Sequence, residues 1–188
     1  MPDRGAPGEA AVMTTNTPDP GTYQIDPERS VIAFRTRHLF GLGPVRGTFR
    51  LRAGEIRVAE QVQACAVRAT VDAASFATGN PARDRVVKSA RLLDTGQHPV
   101  FTFASSQLTP DGDQWTLRGS LAVAGNALPV ELAIEQAHAA GAELSVLATV
   151  GIDRYAFGVT AMKGLAARRL SCQLEITVTR RDDDGHRG

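Results

Sequence analysis

Apolar and polar side chains alternate with a period of two through most of this chain. In the segment VRGTFRLR, Val45, Gly47, Phe49 and Leu51 fall on one face and polar residues fall on the other. Such alternation predicts a β-strand with one buried face and one solvent-exposed face. The same alternation recurs in the segments 31–38, 65–71, 100–106, 144–150 and 170–178. The chain is therefore predicted to be all-β.

A hairpin is predicted at Gly125-Asn126, because this pair separates the alternating runs WTLRGSLAV and ALPVELAIE. With both arms counted there are about eight strands, and eight strands can close into a barrel that is filled by side chains or holds one small ligand. Small residues at inward positions favour a cavity. These residues are Gly47, Cys65, Ala69, Gly119, Ala148 and Cys172. An ordinary core filled by Leu, Val and Phe stays open as the alternative.

One segment, 78–94, has the pattern of a helix instead. Asn80 can cap the helix, Pro81 suits the first helical position, and Asp84 lies in the first turn. Apolar residues then recur at helical spacing. The residues expected to pack on the barrel are Val87, Ala90 and Leu93.

Length and charge limit the possible functions. A chain of 188 residues with 43% hydrophobic residues fits one domain, expected at 21–180 between disordered tails at 1–20 and 181–188. The formal net charge of +1 predicts no overall attraction to nucleic acid or anionic lipid. No apolar run reaches the roughly 20 residues of a membrane helix, so no integral membrane segment is predicted. Because the opening residues lack the apolar core of a secretory signal, a cytoplasmic location is expected.

Motifs for catalysis or metal binding are missing from the sequence. The four histidines show no ligand spacing, so no metal site and no cofactor are predicted. Cys65 and Cys172 lie far apart among apolar neighbours, which favours buried free thiols. The glycine-rich segment 40–47 does not have the spacing of a nucleotide-binding loop, and we interpret it as a turn between two strands. The sequence therefore predicts a protein that is not an enzyme.

Three polar groups interrupt the apolar pattern, and each permits two interpretations. His38 is placed on the inward face by the period of two, as a core histidine or as a polar group near a ligand. Arg83 and Asp84 either stabilise the start of the helix or offer donors to a ligand head group. Asp153 and Arg154 form either a turn held by a salt bridge or a second polar contact. The residues alone do not decide between these interpretations.

The segment GTYQIDPERSVIAFRTRHLFGLGPVRGTF resembles the opening signature of the YceI-like family of polyisoprenoid-binding, lipocalin-like proteins. The matching residues are Ile25, Asp26, Arg29, Ser30, Phe34, His38, Leu39, Gly47 and Phe49. Three further segments, TGNPARDRVVKSARLLDTGQHPVFTFASS, LRGSLAVAGNALPVEL and IDRYAFGV, are similar to later family motifs in the same order. The resemblance covers residues 21–179.

The resemblance implies an extended eight-stranded antiparallel lipocalin-like barrel with one short helix and an elongated apolar lumen. It also implies binding of an isoprenoid or other long-chain lipid, with the head group near the mouth, and a homodimer. We therefore predict a carrier or sequestering protein for a quinone or prenyl phosphate. The residues expected to line the lumen are Ile32, Phe34, Phe49, Val67, Phe101, Phe103, Leu121, Leu132 and Val146. The residues expected at its polar end are His38, Arg83 and Arg154.

Two alternatives to the carrier stay open. One is an enzyme that acts on a bound lipid, with His38 as general base and Asp84 or Asp153 orienting it. The other is a packed structural module, associated with stress, whose barrel binds nothing.

Overall fold

The computed structural model describes residues 18–38, 43–112 and 114–181, and for His38 it describes the backbone only. The two predicted tails lie mostly outside these residues. Within them the chain forms nine strands, one α-helix and a short 3-10 turn at Val62–Ala64. The strands are β1 Gly21–Ile25, β2 Val31–His38, β3 Gly43–Val58, β4 Ala66–Ala77, β5 Val100–Asp111, β6 Gln114–Val123, β7 Asn126–Ala140, β8 Glu143–Asp153 and β9 Arg169–Arg180. The helix α1 is Pro81–Lys88.

The strands form one closed antiparallel sheet. Their order is β3-β2-β9-β8-β7-β6-β5-β4, and β4 pairs back onto β3. The short strand β1 pairs with the same two neighbours as β2, namely β3 and β9, further along each of them. Strands β1 and β2 therefore share one position, and the described residues form an eight-position barrel. The predicted all-β, lipocalin-like barrel with one short helix is confirmed.

The connections between strands differ at the two ends of the barrel. One end, which we call the loop end, carries the segments 78–99 and 154–168 and the tight turn after β6. The other, the turn end, carries the segment 59–65 and two short turns, after β5 and β7. The interpretation of the glycine-rich segment 40–47 as a turn is wrong for residues 43–47, which belong to β3 and pair with β2. Residues 39–42 lie outside the described part of the chain.

The predicted hairpin forms, but its turn lies one residue earlier than predicted. Val123 pairs with Asn126, so Ala124 and Gly125 make the turn, with φ of 49° and 84°. Two positive φ values are typical of the type I′ turn that matches strand twist. The Asn126 side chain instead donates a hydrogen bond of 3.0 Å to the backbone oxygen of Phe157, which joins this turn to the segment 154–168.

Helix α1 begins as predicted and ends earlier. The Asn80 side chain accepts a hydrogen bond of 3.1 Å from the backbone nitrogen of Arg83, and Pro81 is the first helical residue. The helix ends at Lys88, where the hydroxyl of Ser89 donates to the Val86 oxygen at 2.7 Å. The prediction that Ala90 packs on the barrel is wrong, because the chain has left the helix there and Ala90 is exposed.

Val87 and Leu93 do pack on the barrel, each against a different cluster. The smaller cluster, near the loop end, contains Phe34, Val45 and Phe76, and Val87 contacts it. The larger cluster contains Tyr23, Ile25, Ile32, Leu51, Val71, Ala73, Phe101, Leu144 and Val178, with Leu93 packed against it.

The glycines at inward positions do not open the interior, which corrects the argument from small residues. A Cβ added at Gly119 would lie 2.5 Å from the ring of Phe103 and 2.6 Å from the backbone oxygen of Ala104. A Cβ added at Gly47 would collide with the ring of Phe34 in the same way. Each missing side chain is thus replaced by a phenyl ring from a neighbouring strand. The four other small residues do face the cavity described below.

Candidate ligand-binding site

A cavity of about 980 Å³ runs through the interior of the barrel. Its lining is almost entirely apolar. In the described part of the chain, its charged lining residues are Arg37, Arg83 and Arg154 toward the loop end and Glu60 toward the turn end. The alternative of a fully packed barrel is therefore wrong for this structure. An apolar channel with charges at its ends can hold a long apolar molecule that has one polar terminus.

Eleven of the twelve residues predicted to bind a ligand line this cavity. They are Ile32, Phe34, Phe49, Val67, Arg83, Phe101, Phe103, Leu121, Leu132, Val146 and Arg154. Nine of them come from seven strands, where inward positions recur every second residue, while Arg83 comes from α1 and Arg154 from the segment after β8. Their contact with a ligand stays a prediction.

His38, the twelfth predicted residue, is the last residue of β2 and pairs with Gly43 of β3. The position of its side chain lies outside what the structure describes. Its assignment to the polar end, and its possible role as a general base, therefore stay predictions.

Four phenyl rings form part of the cavity wall. The rings of Phe34, Phe49, Phe76 and Phe101 contact one another with centroids 5.3–5.6 Å apart. Phe76 was not predicted, because the predicted strand ended at residue 71 and its period of two, continued from the inward residues Val71 and Ala73, would place residue 76 outward.

An irregularity in β4 explains why Phe76 faces inward. The hydroxyl of Ser75 donates to the backbone oxygen of Asp72 at 2.6 Å, and the pairing of β3 with β4 shifts its register nearby. Such a bulge turns the following side chains to the opposite face. The cluster Asp72–Ser75, with short polar side chains that bond to their own backbone, was the available signal in the sequence.

Arg83 is the cationic residue of the cavity whose guanidinium has no hydrogen bond or ion pair within the described residues. It lies in the first turn of α1 and is half-buried. Residues close to Arg83 in the sequence hold the start of the helix in place. The Asp84 carboxylate accepts hydrogen bonds from the hydroxyl and the backbone nitrogen of Thr78, at 2.6 and 3.1 Å. This anchored turn leaves the donors of Arg83 available to a ligand.

Arg154 is engaged in a different way, since its guanidinium binds the backbone of the segment 154–168. It donates to the oxygens of Ala167 and Ala166 at 2.8 and 2.9 Å, and to those of Val159 and Ala161. Partial burial lowers the pKa of Arg154 from its ordinary value. Four bonds from five N–H donors give Arg154 a structural role in this segment and leave little capacity for a head group.

The neighbouring Asp153 forms the salt bridge expected of a turn. Its carboxylate accepts from Arg168 at 2.7 and 2.8 Å and from the backbone nitrogen of Tyr155 at 3.0 Å. The hydrogen bond from Arg168 lowers the pKa of Asp153 below its ordinary value. Asp153 and Asp84, the carboxylates considered for orienting a catalytic histidine, are thus both engaged with other groups.

Both cysteines are free, as predicted, and both are half-buried because they line the cavity. Cys172 packs between the two core clusters, and burial raises the pKa of its thiol to about 11. A thiol with such a pKa is protonated near neutral pH and is a poor nucleophile.

Residues that could hold a metal are not grouped anywhere in 18–37, 43–112 and 114–181. The same part of the chain contains no helix that is long and apolar enough to cross a membrane.

Comparison with known proteins adds evidence from sequence. The model of the YceI-like domain matches residues 23–180. The chain belongs to the YceI-like domain family. Protein YceI of Escherichia coli O157:H7 is 34% identical over 113 residues, which span 58% of this chain and 59% of that relative's own length. The matched segment is thus less than two thirds of the relative.

Solved structures resemble the YceI-like barrel. Burkholderia cenocepacia BcnA superposes with a TM-score of 0.72 at 21% identity, over 82% of this chain and 99% of that chain. A polyisoprenoid binding domain from Saccharophagus degradans, implicated in plant cell wall breakdown, superposes with a TM-score of 0.63 at 13% identity, over 85% and 98% of the two chains. At these identities the similarity establishes the shared fold.

Proposed function

We propose that this YceI-like domain binds a long-chain isoprenoid lipid, such as a quinone or a prenyl phosphate, and acts as a carrier or sequestering protein rather than as an enzyme. The observation that carries the proposal is the apolar cavity of about 980 Å³ with charged residues at its ends. Burial of an isoprenoid tail there contributes about 0.8 kcal/mol per CH₂, less the cost of ordering the tail. The similarity to the polyisoprenoid binding domain of Saccharophagus degradans supports the same ligand class.

The head group is proposed to lie at the loop end, beside Arg83. That guanidinium lines the cavity and is unpaired within the described residues, whereas Arg154 is occupied by backbone oxygens. A phosphate can accept charge-assisted hydrogen bonds from such a guanidinium. The tail would then extend along the apolar wall toward the turn end.

An Arg83→Met variant is expected to bind farnesyl phosphate roughly 10-fold to 100-fold more weakly, since a hydrogen bond to a charged group contributes about 1.5–3 kcal/mol. Binding of farnesol, which has no phosphate, should change by less than about twofold on the same reasoning. Titration calorimetry measures both affinities. Arg85→Met is the matched control, because Arg85 is exposed on the same helix and does not line the cavity. Equal losses for the two ligands would contradict the placement of the head group.

Mass spectrometry of an organic extract, combined with native mass spectrometry of the same gently purified protein, tests the function itself. We expect one molecule of a prenyl lipid per chain. A protein that carries no lipid and takes up neither added quinones nor prenyl phosphates would overturn the proposal. The cytoplasmic location, the homodimer and the absence of catalysis stay predictions, and so does the choice between quinone and prenyl phosphate.

A further inference from the structure

Positive charge is concentrated at the loop end of the barrel. We count the segment 78–99 and the residues 153–169, which add Asp153 of β8 and Arg169 of β9 to the segment 154–168. Together they contain eight basic and three acidic residues, a formal charge of +5, whereas the whole chain carries +1. Both lysines of the chain, Lys88 and Lys163, belong to these segments. Two of the three acidic residues are engaged locally, Asp84 with Thr78 and Asp153 with Arg168. The near-zero net charge of the sequence therefore does not represent the charge of this end of the barrel.

The same end carries the most exposed apolar side chains. Val86 in α1 and Leu165 in the segment 154–168 are 38% and 46% exposed, and they are the two exposed large hydrophobic residues in the part of the chain that the structure describes. Both also line the cavity. They therefore lie where the cavity meets the surface.

These two residues belong to opposite sides of the barrel. Helix α1 follows β4 and the segment 154–168 follows β8, and these strands are four positions apart in the eight-position barrel. Both elements are held by specific bonds, the Asn80 cap on α1 and the four hydrogen bonds of Arg154 on the segment. The structure thus presents two anchored apolar contacts, on either side of the cavity, among basic residues.

We propose that the loop end docks on the surface of an anionic lipid bilayer, with Val86 and Leu165 inserted among the head groups. Lys88, Lys163 and Arg85 would face the lipid phosphates. Exposed apolar side chains surrounded by cations are the combination that binds to a membrane interface, because apolar burial adds to attraction by anionic lipids. Because the loop end combines positive charge with exposed apolar side chains, an anionic bilayer is favoured over an acidic protein as its partner. This inference goes beyond the lipid-binding function and does not depend on which lipid is carried.

Flotation with vesicles tests the docking. The protein should float with vesicles of phosphatidylcholine and phosphatidylglycerol and should stay behind with pure phosphatidylcholine. A Lys88→Glu/Lys163→Glu variant should bind anionic vesicles at least roughly 30-fold more weakly, since each cation near such a surface contributes about a fivefold factor. Neither lysine lines the cavity, so this variant should still take up farnesol. Farnesol uptake is measured on the same protein samples as flotation. The two measurements together distinguish a failure of docking from a failure of the proposed function.

Two further variants make the test specific. Arg57→Glu/Arg181→Glu changes charge equally at the turn end, where both residues are exposed, and should leave vesicle binding within about twofold of the wild type. Val86→Ser/Leu165→Ser keeps the charge and should weaken binding several-fold through lost apolar burial. Circular dichroism confirms that each variant is folded. The proposal is overturned if the wild type binds neutral vesicles equally well, binds no vesicles, or loses as much binding through the turn-end variant.

Discussion

A Leu121→Trp variant is expected to lose most of its affinity for prenyl lipids while it stays folded. Leu121 lies near the loop end of β6, is half-buried and lines the cavity. An indole there projects into the channel that the isoprenoid tail must pass. If it displaces about three methylene groups, at about 0.8 kcal/mol each, affinity falls roughly 50-fold.

This position is preferable to other lining residues for a physical reason. Phe49 is surrounded by three other phenyl rings, and Leu132 is only 8% exposed, so a larger side chain at either site would strain the packed wall. Leu121 also lines the cavity, but it is more exposed than Leu132. Its variant therefore separates blocking of the cavity from damage to the fold.

Competition against a fluorescent prenyl probe measures the affinity, and thermal unfolding checks the fold. Ser120→Trp is the matched control, because Ser120 is the adjacent residue of β6 and points outward. We expect the control to bind like the wild type. Unchanged uptake by a well-folded Leu121→Trp protein would show that the ligand does not occupy this cavity.

The second large effect concerns stability. Gly119→Ala is expected to lower the free energy of unfolding by about 2–3 kcal/mol, in the range of other overpacked cores. The added Cβ would meet the Phe103 ring at 2.5 Å and the backbone oxygen of Ala104 at 2.6 Å. The ring can rotate aside only at the expense of its own packing, and the backbone oxygen is held in the sheet. For a chain of this size the loss corresponds to a Tm lower by roughly 5–10 °C.

Gly151→Ala provides the control for this substitution. Gly151 also lies in a strand, but a Cβ there would have no heavy atom within 4 Å. We expect stability within about 0.5 kcal/mol of the wild type, or a small gain from the lower entropy of the unfolded chain. Calorimetric scans of both variants give the comparison. Equal Tm values for the two would contradict the close packing of Phe103 on Gly119.

Strand positions and the start of the helix were predictable because they depend on neighbours in sequence. The alternation in 43–51 predicts β3, and the cap at Asn80 predicts where α1 begins. Local signals were less accurate at the boundary between a turn and a strand. The turn after β6 was placed one residue late, because Asn126 was counted in the turn although it belongs to β7.

The candidate site was predictable only in part. Inward strand positions followed from the period of two, which is why the nine predicted apolar residues line the cavity, whereas Arg83 and Arg154 lie on the helix and in a loop. Phe76 was missed because a bulge near Ser75 reverses the alternation. The role of Arg154 was not decidable, since its four partners are backbone oxygens that no side-chain pattern in the sequence reveals.

The sequence by itself determined the all-β class, the approximate number of strands, the start of the helix and the family resemblance. These properties follow from local backbone preferences and from motifs that are read in order along the chain. Only the tertiary structure decided that the barrel encloses a cavity of about 980 Å³, and that rings rather than space occupy the positions beside Gly47 and Gly119. Only the fold brings the basic segments 78–99 and 153–169 to one end, because that arrangement depends on the order of strands around the barrel.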